Sequence, residues 1–213
     1  MPPGIEAGHR PVPVRAYAPT EQDLVDAQQT VSYPSGMAET HFRPESGLAL
    51  AVGSLETAAS LEEVVSVLRR TAREIVGADG IAVVLRERDT VFYAAEDAIE
   101  PLWRGRRFPL TDCISGWSIL NGQTVIVPDI EFDPRVPVAA YRTTSMRSLV
   151  IVPIGVPEPV AALGAYWCAS VIPDDATVCR LEALAHQAAA ALERVRLLSE
   201  ALGARARMQP SGS

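Results

Sequence analysis

The clearest helix signal in the chain is a regular spacing of apolar residues between Leu61 and Ile75. Apolar side chains recur there every three or four positions, which places them on one face of a helix. Ser60 and Glu63 have the spacing of a capping box, in which each side chain accepts a hydrogen bond from an N–H group at the helix start. Gly77 follows the apolar stripe, and glycine commonly ends helices. The pattern predicts a helix between Ser60 and Gly77.

Short apolar runs rich in β-branched residues predict strands in the rest of the chain. The first two runs are joined by a short polar link and the last two by Pro157-Glu158-Pro159, so each pair is expected to form a hairpin. The last two runs are apolar on both faces, which is typical of central strands covered on both sides. Pro153 has no N–H group for the sheet, so we expect a bulge at that position. The predicted strands are Gly80–Arg86, Thr90–Ala95, Phe108–Leu110, Thr124–Val127, Ser148–Ile154 and Ala161–Ala169.

A long helix is predicted near the end of the chain, from about Asp174 to Ala204. Acidic residues at its start favour the positive end of the helix dipole. Its apolar residues repeat at alternating three- and four-residue steps, which is the coiled-coil period. They form two adjoining stripes, so we expect one stripe to cover the sheet and the other to meet a second copy of the helix in a homodimer. The predicted dimer contacts are Leu181, Leu184, Ala188, Ala191, Val195 and Leu198.

An irregular segment from Pro128 to Arg147, here named the covering loop, separates two of the predicted strands. It contains three prolines and three acidic residues. Loops of this length are uncommon in compact domains and are often functional. A short helix, Gly116 to Leu120, is expected before it, capped by Ser115 and ended by Asn121-Gly122. We expect the covering loop to lie over a binding cavity on the sheet.

The same region resembles a known family. The run C-I-S-G-W-S-I-L-N-G-Q-T-V-I-V-P-D-I begins at Cys113 and is followed, in order, by D-P-R, Y-R, S-L-V-I-V-P-I and G-A-Y-W. This order is similar to that of GAF domains, and in particular of GAF modules in bacterial sensory proteins, between Gly53 and Ser199. The resemblance implies an α+β, PAS-related fold with an antiparallel sheet of about six strands. It implies helices on both faces of the sheet, with the first helix and the long C-terminal helix on one face and the short helices and covering loop on the other.

The N-terminal part of the chain is rich in proline and has little periodicity, apart from a short helix predicted at Thr20–Val31. Such composition favours disorder or an extended arm. The predicted organisation is an N-terminal arm at 1–47, partly disordered or bound to a protein partner, a GAF domain at 48–204 and a tail at 205–213.

Ligand-binding residues are expected on the short helix, the covering loop and the last strand. Aromatic rings at these places suit a flat ligand, and an arginine suits a carboxylate or phosphate. Core packing of the rings and turn capping by the aspartates are the structural alternatives. Of Tyr166 and Trp167, only one can face the cavity, because neighbouring residues of a strand point to opposite faces. The predicted set is Cys113, Trp117, Asp129, Phe132, Arg135, Tyr141, Arg142 and Trp167.

The residues that GAF domains use for several known chemistries are absent from this sequence. Bilin-binding GAF domains carry a histidine beside the attachment cysteine, whereas Ile114 follows Cys113. The N-K-F-D-type motif of cyclic-nucleotide-binding GAF domains has no counterpart. His186 is followed by Gln187, where a phosphoacceptor histidine is followed by an acid. The chain has no G-x-S-x-G, H-E-x-x-H or P-loop motif, so we predict no catalytic residue and no metal site, and the cofactor stays unknown.

The composition limits which partners and which cellular compartment are expected. A net charge of -7 and a pI near 5.0 argue against nucleic-acid binding, and no apolar run is long enough to span a membrane. Every basic side chain apart from histidine is arginine, which excludes lysine chemistry. Cys113, Cys168 and Cys179 have neither disulfide nor zinc spacing, and reduced thiols indicate a cytoplasmic protein.

These observations predict a cytoplasmic sensory or regulatory module. A small molecule would bind in the loop-covered pocket, and the dimerising C-terminal helix would carry the signal. The alternative is a ligand-free GAF module for dimerisation or scaffolding, whose N-terminal arm holds a protein partner. A cysteine-dependent redox enzyme is a third hypothesis, which we consider weaker because the three cysteines are widely spaced.

Overall fold

The computed structural model describes residues 44–208, with side chains described up to residue 203. The predicted helix at 20–31 and most of the predicted arm lie outside the described residues. Within them, no helix has the length and apolar character needed to cross a membrane. A short 3₁₀ turn, Leu110–Asp112, accompanies the following elements: α1 Pro44–Thr57, α2 Leu61–Val76, β1 Gly80–Glu87, β2 Thr90–Ala98, β3 Arg107–Pro109, α3 Ile114–Asn121, β4 Val125–Val127, α4 Val138–Tyr141, β5 Ser148–Ile154, β6 Ala161–Trp167 and α5 Asp175–Met208.

The strands form one six-stranded sheet in the order β3-β2-β1-β6-β5-β4. Every neighbouring pair is antiparallel. β1, β6 and β5 form the middle of the sheet, and their burial on both faces matches their apolar sequences. The α+β fold expected from the sequence, with its six-stranded sheet and long C-terminal helix, is confirmed.

The two faces of the sheet carry two separate cores. On one face, α1, α2 and α5 pack aliphatic side chains against the strands, with Leu55, Leu68 and Leu184 fully buried. On the other face, α3, α4 and the covering loop enclose a core that is richer in aromatic rings. Strand alternation sends Tyr166 to the second core and leaves Trp167 at the edge of the first.

The predicted capping of α2 is confirmed. The Ser60 hydroxyl accepts a hydrogen bond from the N–H group of Glu63 at 3.1 Å, and the Glu63 carboxylate accepts one from the N–H group of Ala59 at 2.7 Å. Gly77 ends the helix with φ at 61°, a left-handed conformation that glycine adopts without strain.

The bulge expected at Pro153 is wrong. Pro153 pairs with Ala162 in an unbroken register between β5 and β6. The strand tolerates proline because β4 is short and pairs only as far as Ile151, so the other edge of β5 is unpaired at that point. The register shift of the sheet lies instead between Val83 and Val84 of β1.

The short helix α3 begins earlier than predicted, and Cys113 caps it in place of Ser115. The Cys113 Sγ atom accepts a hydrogen bond from the N–H group of Gly116 at 3.3 Å. Gly116 packs directly on the chain before the helix, since a Cβ atom there would lie 1.9 Å from the carbonyl oxygen of Leu110. Ser115 lies in the first turn of the helix and is fully buried.

The dimer contacts predicted on α5 require the main correction. Four of the six, Leu181, Leu184, Ala188 and Ala191, are buried in the core that α5 forms with the sheet and the other helices of the same chain. They are therefore core residues and are not available to a partner. Val195 is half-buried and Leu198 is 52% exposed.

Candidate functional site

The second core contains a cluster of four aromatic rings, here named the aromatic cluster, formed by Tyr93, Trp103, Tyr141 and Tyr166. Trp103 contacts the other three edge-on, with ring centroids 5.5 Å from Tyr93, 4.8 Å from Tyr141 and 5.6 Å from Tyr166. Edge-to-face pairs of this kind contribute about 0.5–1.5 kcal/mol each beyond the area they bury. The cluster leaves a cavity of about 50 Å³ beside Cys113.

The hydroxyl groups of the aromatic cluster are only partly hydrogen-bonded. The Tyr93 and Ser115 hydroxyls lie 3.3 Å apart, whereas the buried Tyr166 hydroxyl has no partner among the described residues. Gly164 makes room for it, because a Cβ atom at that position would lie 2.7 Å from the Tyr166 oxygen. Burial raises the pKa of Tyr93, Tyr141 and Tyr166, so all three stay neutral phenols at neutral pH.

Cys113 lines the small cavity, as predicted, but its thiol has a structural role. Its sulfur caps α3 and lies 3.7 Å from the carbonyl oxygen of Pro109, to which the S–H group donates. Burial raises the pKa of Cys113 despite the hydrogen bond from Gly116. A protonated thiol is a poor nucleophile, so this cysteine does not have the character of a reactive one.

A larger cleft, here named the loop cleft, opens beside the aromatic cluster under the covering loop. Its volume is about 520 Å³, which falls within the range of roughly 300–1,000 Å³ for small-molecule sites. Tyr141 lies between the loop cleft and the cavity of the aromatic cluster and lines both. The remaining walls come from Ile130 and Glu131, the start and end of α4, the segment 144–147, and Cys168.

The charged groups of the loop cleft differ in how they are paired. The Arg147 guanidinium lies 3.6 Å from Asp129 and 3.7 Å from Glu131, at the long end of the ion-pair range. Arg142 is exposed and makes no ion pair within the described part of the chain. The Arg147 guanidinium therefore forms only long ion pairs, and the Arg142 guanidinium has no acidic partner among the described residues.

The covering loop is fixed at both of its ends. Asp129 accepts hydrogen bonds from the N–H group of Glu131 at 2.9 Å and from the Ser170 hydroxyl at 2.8 Å. These bonds, in that order, together with Arg147, lower the pKa of Asp129 below its ordinary value. The Arg147 N–H group donates to the Trp167 carbonyl at 2.7 Å. Asp129, a predicted ligand residue, is thus engaged in holding the loop.

Two other predicted ligand residues pair with the loop itself. Arg135 binds Asp133 through two nitrogen atoms, at 2.9 and 2.5 Å, and its guanidinium lies 5.2 Å from the ring centroid of Trp117. Burial opposes ionisation of Asp133, but the hydrogen bonds from Arg135 outweigh it and lower the pKa of that carboxyl group. Neither Arg135 nor Trp117 lines the loop cleft or the small cavity, so the structure gives both a stabilising role.

Two predicted residues point elsewhere. Phe132 is 81% exposed at the surface of the covering loop. Trp167 lies on the opposite face of the sheet, where its indole N–H donates to the carbonyl oxygen of Gly77 at 3.0 Å. The neighbouring Tyr166 takes the position on the cavity side. Of the predicted set, the structure brings together only Cys113, Tyr141 and Arg142 around the two cavities.

The sequence analysis missed several residues that line these cavities, namely Tyr93, Trp103, Met146, Arg147 and Cys168. Tyr93 lies at a buried position of the alternating strand β2, so its direction toward the cavity could have been predicted from the sequence. Trp103 lies in the connector after β2, where no periodic pattern indicates its direction.

Comparison with known proteins identifies the family. The sequence model of the GAF domain matches residues 58–193, which is more than half of the chain. Together with the six-stranded sheet and the loop-covered site, this match shows that the chain belongs to the GAF domain family. A search of curated proteins gave no significant match.

Solved structures with this fold include proteins of several functions. The GAF domain of a phosphoenolpyruvate-protein phosphotransferase from Acinetobacter is 13% identical, with a TM-score of 0.62 over 74% of this chain and 97% of that one. A free methionine-R-sulfoxide reductase from Neisseria meningitidis is 20% identical, with a TM-score of 0.61 over 76% and 99%. The chromophore-binding domain of a bacteriophytochrome from R. palustris is 17% identical, with a TM-score of 0.61 over 72% of this chain and 62% of that one. At these identities the likeness shows the fold alone.

Proposed function

We propose that this GAF domain is a cytoplasmic regulatory module that binds a small molecule in the loop cleft and passes the change to α5. The observation that carries this proposal is the loop cleft itself. It has the size of a small-molecule site, and it combines an apolar floor with polar groups at its rim. It lies under the longest irregular segment of the domain, and loops held on a rigid scaffold often carry binding residues.

The loop cleft is connected to the far face of the sheet through the end of β6. The N–H group of Cys168, which lines the cleft, donates to the carboxylate of Asp79 at 2.8 Å. The preceding Trp167 donates to the carbonyl oxygen of Gly77 at 3.0 Å. Both bonds end at the turn that follows α2. A shift of β6 at the cleft is therefore expected to move the end of α2.

Two arginines of α5 bind the ends of the neighbouring helices. Arg180 donates to the carbonyl oxygen of Ile75 in the last turn of α2 at 3.1 Å. Arg194 donates to the carbonyl oxygens of Leu55 and Ala58 at the end of α1, at 2.8 and 3.1 Å. Because these bonds satisfy carbonyl groups that helix ends leave without partners, they couple α5 to any displacement of α1 and α2. This supports α5 as the output element.

The distal part of α5 is the proposed dimer surface. The stripe that is buried up to Ala191 continues at the same spacing through Val195 and Leu198 to Leu202, and these residues become progressively exposed. Leu198 is 52% and Leu202 is 68% exposed. An exposed apolar stripe with this period fits a second copy of the same helix, so the proposed interface keeps only the outer part of the set that the sequence indicated.

Native mass spectrometry of the purified protein tests ligand binding in the loop cleft. Val138 lines the cleft, whereas Ala139 next to it on α4 is exposed and does not. We expect the wild type and the Ala139→Trp variant to carry extra mass that denaturation releases, and the Val138→Trp variant to carry none because the indole obstructs the cleft. The proposal fails if the wild type has its bare mass, or if Val138→Trp retains the added mass.

A ligand-free dimerisation module is the second candidate, and one observation favours it. The aromatic cluster packs so closely that its cavity of about 50 Å³ has room for one or two water molecules, at about 30 Å³ each. In this case the α5 stripe and the N-terminal arm would supply the partner contacts, and the loop cleft would have no ligand. A bare-mass dimer in the same experiment supports this candidate.

A cysteine-dependent enzyme is the weakest of the three hypotheses. The three cysteines, all free, lie on different elements: Cys113 at α3, Cys168 after β6 and Cys179 on α5. Burial is the main cause that raises the pKa of both Cys113 and Cys168. Thiols that stay protonated react slowly, which favours a regulatory role even though the fold also occurs in a methionine sulfoxide reductase.

A further inference from the structure

We propose that the loop cleft selects a small amphipathic monocarboxylate, whose carboxylate is bound by Arg142. This inference rests on the proposed function, because it names the ligand class of the same cleft. It rests on which charged and polar groups around the cleft already have partners, and on the apolar character of the cleft floor.

Among the charged side chains that line the loop cleft, Arg142 is the one that the described residues leave without a partner of opposite charge. Arg147 already contacts the carboxylates of Asp129 and Glu131. Glu100 accepts hydrogen bonds from both the N–H group and the hydroxyl of Ser145. An incoming anion therefore meets one unmatched positive charge at the rim, on the turn after α4.

The neighbouring hydroxyl of Thr144 is also engaged within the loop. It donates to the carbonyl oxygen of Tyr141 at 3.0 Å and accepts from the N–H group of Met146 at 3.4 Å. Recognition of a polar ligand group then depends on the guanidinium fork of Arg142. That fork matches the two oxygens of a carboxylate through parallel hydrogen bonds.

The surrounding acids favour a single negative charge over two. Glu131 lines the loop cleft, and its carboxylate and that of Asp129 lie 3.7 and 3.6 Å from the Arg147 guanidinium, which itself lines the cleft. Hydrogen bonds lower the pKa of Asp129, which keeps it ionised. A phosphate monoester carries about 1.5 to 2 negative charges at neutral pH, so its second charge would be opposed by these acids. A carboxylate needs only the one cation that Arg142 supplies.

The floor of the loop cleft is apolar. Ile130 and Met146 are buried, Tyr141 presents its ring, and the sulfur atoms of Cys168 and Met146 lie 4.0 Å apart. Burial raises the pKa of Cys168 and keeps its thiol neutral. A floor of this kind contacts hydrocarbon or aromatic groups favourably. The ligand therefore combines an apolar body with a carboxylate at one end.

The test compares two fluorescent probes of nearly equal shape, 1-pyrenebutyrate and its neutral counterpart 1-pyrenebutanol, by titration of the full chain. Arg142→Gln removes the charge at an exposed position and is expected to fold normally, which thermal unfolding verifies. Arg104→Gln, another exposed arginine that does not line the cleft, is the matched control. We expect the acid to bind at least about tenfold more tightly than the alcohol, as a charge-assisted hydrogen bond provides. Arg142→Gln should remove this difference and Arg104→Gln should preserve it.

The possible results separate this inference from the proposed function. Equal binding of acid and alcohol that Val138→Trp abolishes would overturn the carboxylate preference and leave the loop cleft as a binding site. Tighter acid binding that survives Arg142→Gln would overturn the role of Arg142. Absence of saturable binding by either probe would overturn the ligand class, while the extra mass sought by native mass spectrometry decides on the cleft itself.

Discussion

The Tyr166 hydroxyl is buried in the aromatic cluster without a hydrogen-bond partner among the described residues. A buried hydroxyl of this kind loses its bonds to water and gains none in return. The nearby Tyr93 hydroxyl is equally deep but lies 3.3 Å from that of Ser115. We therefore expect the two hydroxyl groups to contribute differently to the free energy of unfolding, although they lie in the same cluster.

Replacing each phenol by phenylalanine tests this difference. Tyr166→Phe is expected to leave the free energy of unfolding unchanged or raise it by up to about 1 kcal/mol, because the unpaired hydroxyl is removed. Tyr93→Phe is expected to lower it by about 1 kcal/mol, because Ser115 loses its partner in the core. Urea denaturation measures both. A loss of stability in Tyr166→Phe as large as that in Tyr93→Phe would contradict the account and would indicate a buried water molecule on Tyr166.

The direction of single side chains was the least predictable property of the site. The sequence showed that Tyr166 and Trp167 must face opposite sides of β6, but nothing in their residue types decides which side covers the cavity. That choice depends on the register with β1 and β5, which pairs Tyr166 with Gly80 and Leu149. The role of Arg135 was also not decided by its residue type, because an arginine can bind either a ligand or an acid of its own loop. In the structure it binds Asp133, two residues away.

At the scale of elements, the spacing of apolar residues predicted the main helices and strands, but it did not predict what each of them packs against. The spacing of apolar residues predicted α2, the central strands and α5 close to their observed bounds. Four core residues of α5 were predicted as dimer contacts, because helical periodicity shows that a face is covered and does not show what covers it. The sheet and the other helices of the same chain bury that face as far as Ala191. Only the part from Val195 onward is left for a partner.

Glutamate substitutions on α5 separate the two parts of this stripe. We expect the Leu198→Glu, Leu202→Glu double variant to fold but to raise the dimer dissociation constant at least about 100-fold, because two exposed leucines of the interface become charged. Leu184→Glu should prevent folding, because it buries a charge in the core. Analytical ultracentrifugation and circular dichroism measure the two effects.

The control for the double variant is Leu120→Glu, at a leucine on α3 that is also about half exposed, at 53%. It should leave the dimer intact. A wild-type chain that sediments as a monomer would contradict the proposed interface, and so would a double variant that dimerises as tightly as the wild type.

At the scale of the whole molecule, the sheet separates the side that carries the proposed ligand site from the side that carries the proposed output helix. The loop cleft lies on the first side, and α1, α2 and α5 lie on the second. The turn between α2 and β1 connects them, because Gly77 and Asp79 bind the end of β6 while Arg180 binds the last turn of α2. The fold and the placement of α2 and α5 on one face were expected from the resemblance to GAF domains, whereas α1 and the connection were not. The connection joins residues about 90 or more positions apart.

Such a connection transmits a signal only if ligand binding favours one arrangement of α5 over another. Filling the loop cleft is expected to restrain the covering loop, shift the end of β6 and, through Arg180 and Arg194, alter the distal part of α5. The Val138→Trp variant places an indole in part of the cleft without a ligand, so it tests the coupling separately from the identity of the ligand.

The most direct measurement is hydrogen exchange with mass spectrometry on the wild type, Val138→Trp and Ala139→Trp. We expect Val138→Trp to slow exchange across the covering loop, residues 128–147, and also to change exchange in residues 195–203 of α5, while Ala139→Trp should resemble the wild type in both segments. A change confined to the covering loop, with α5 exchanging as in the wild type, would contradict the claim that the loop cleft and the C-terminal helix form one regulatory unit.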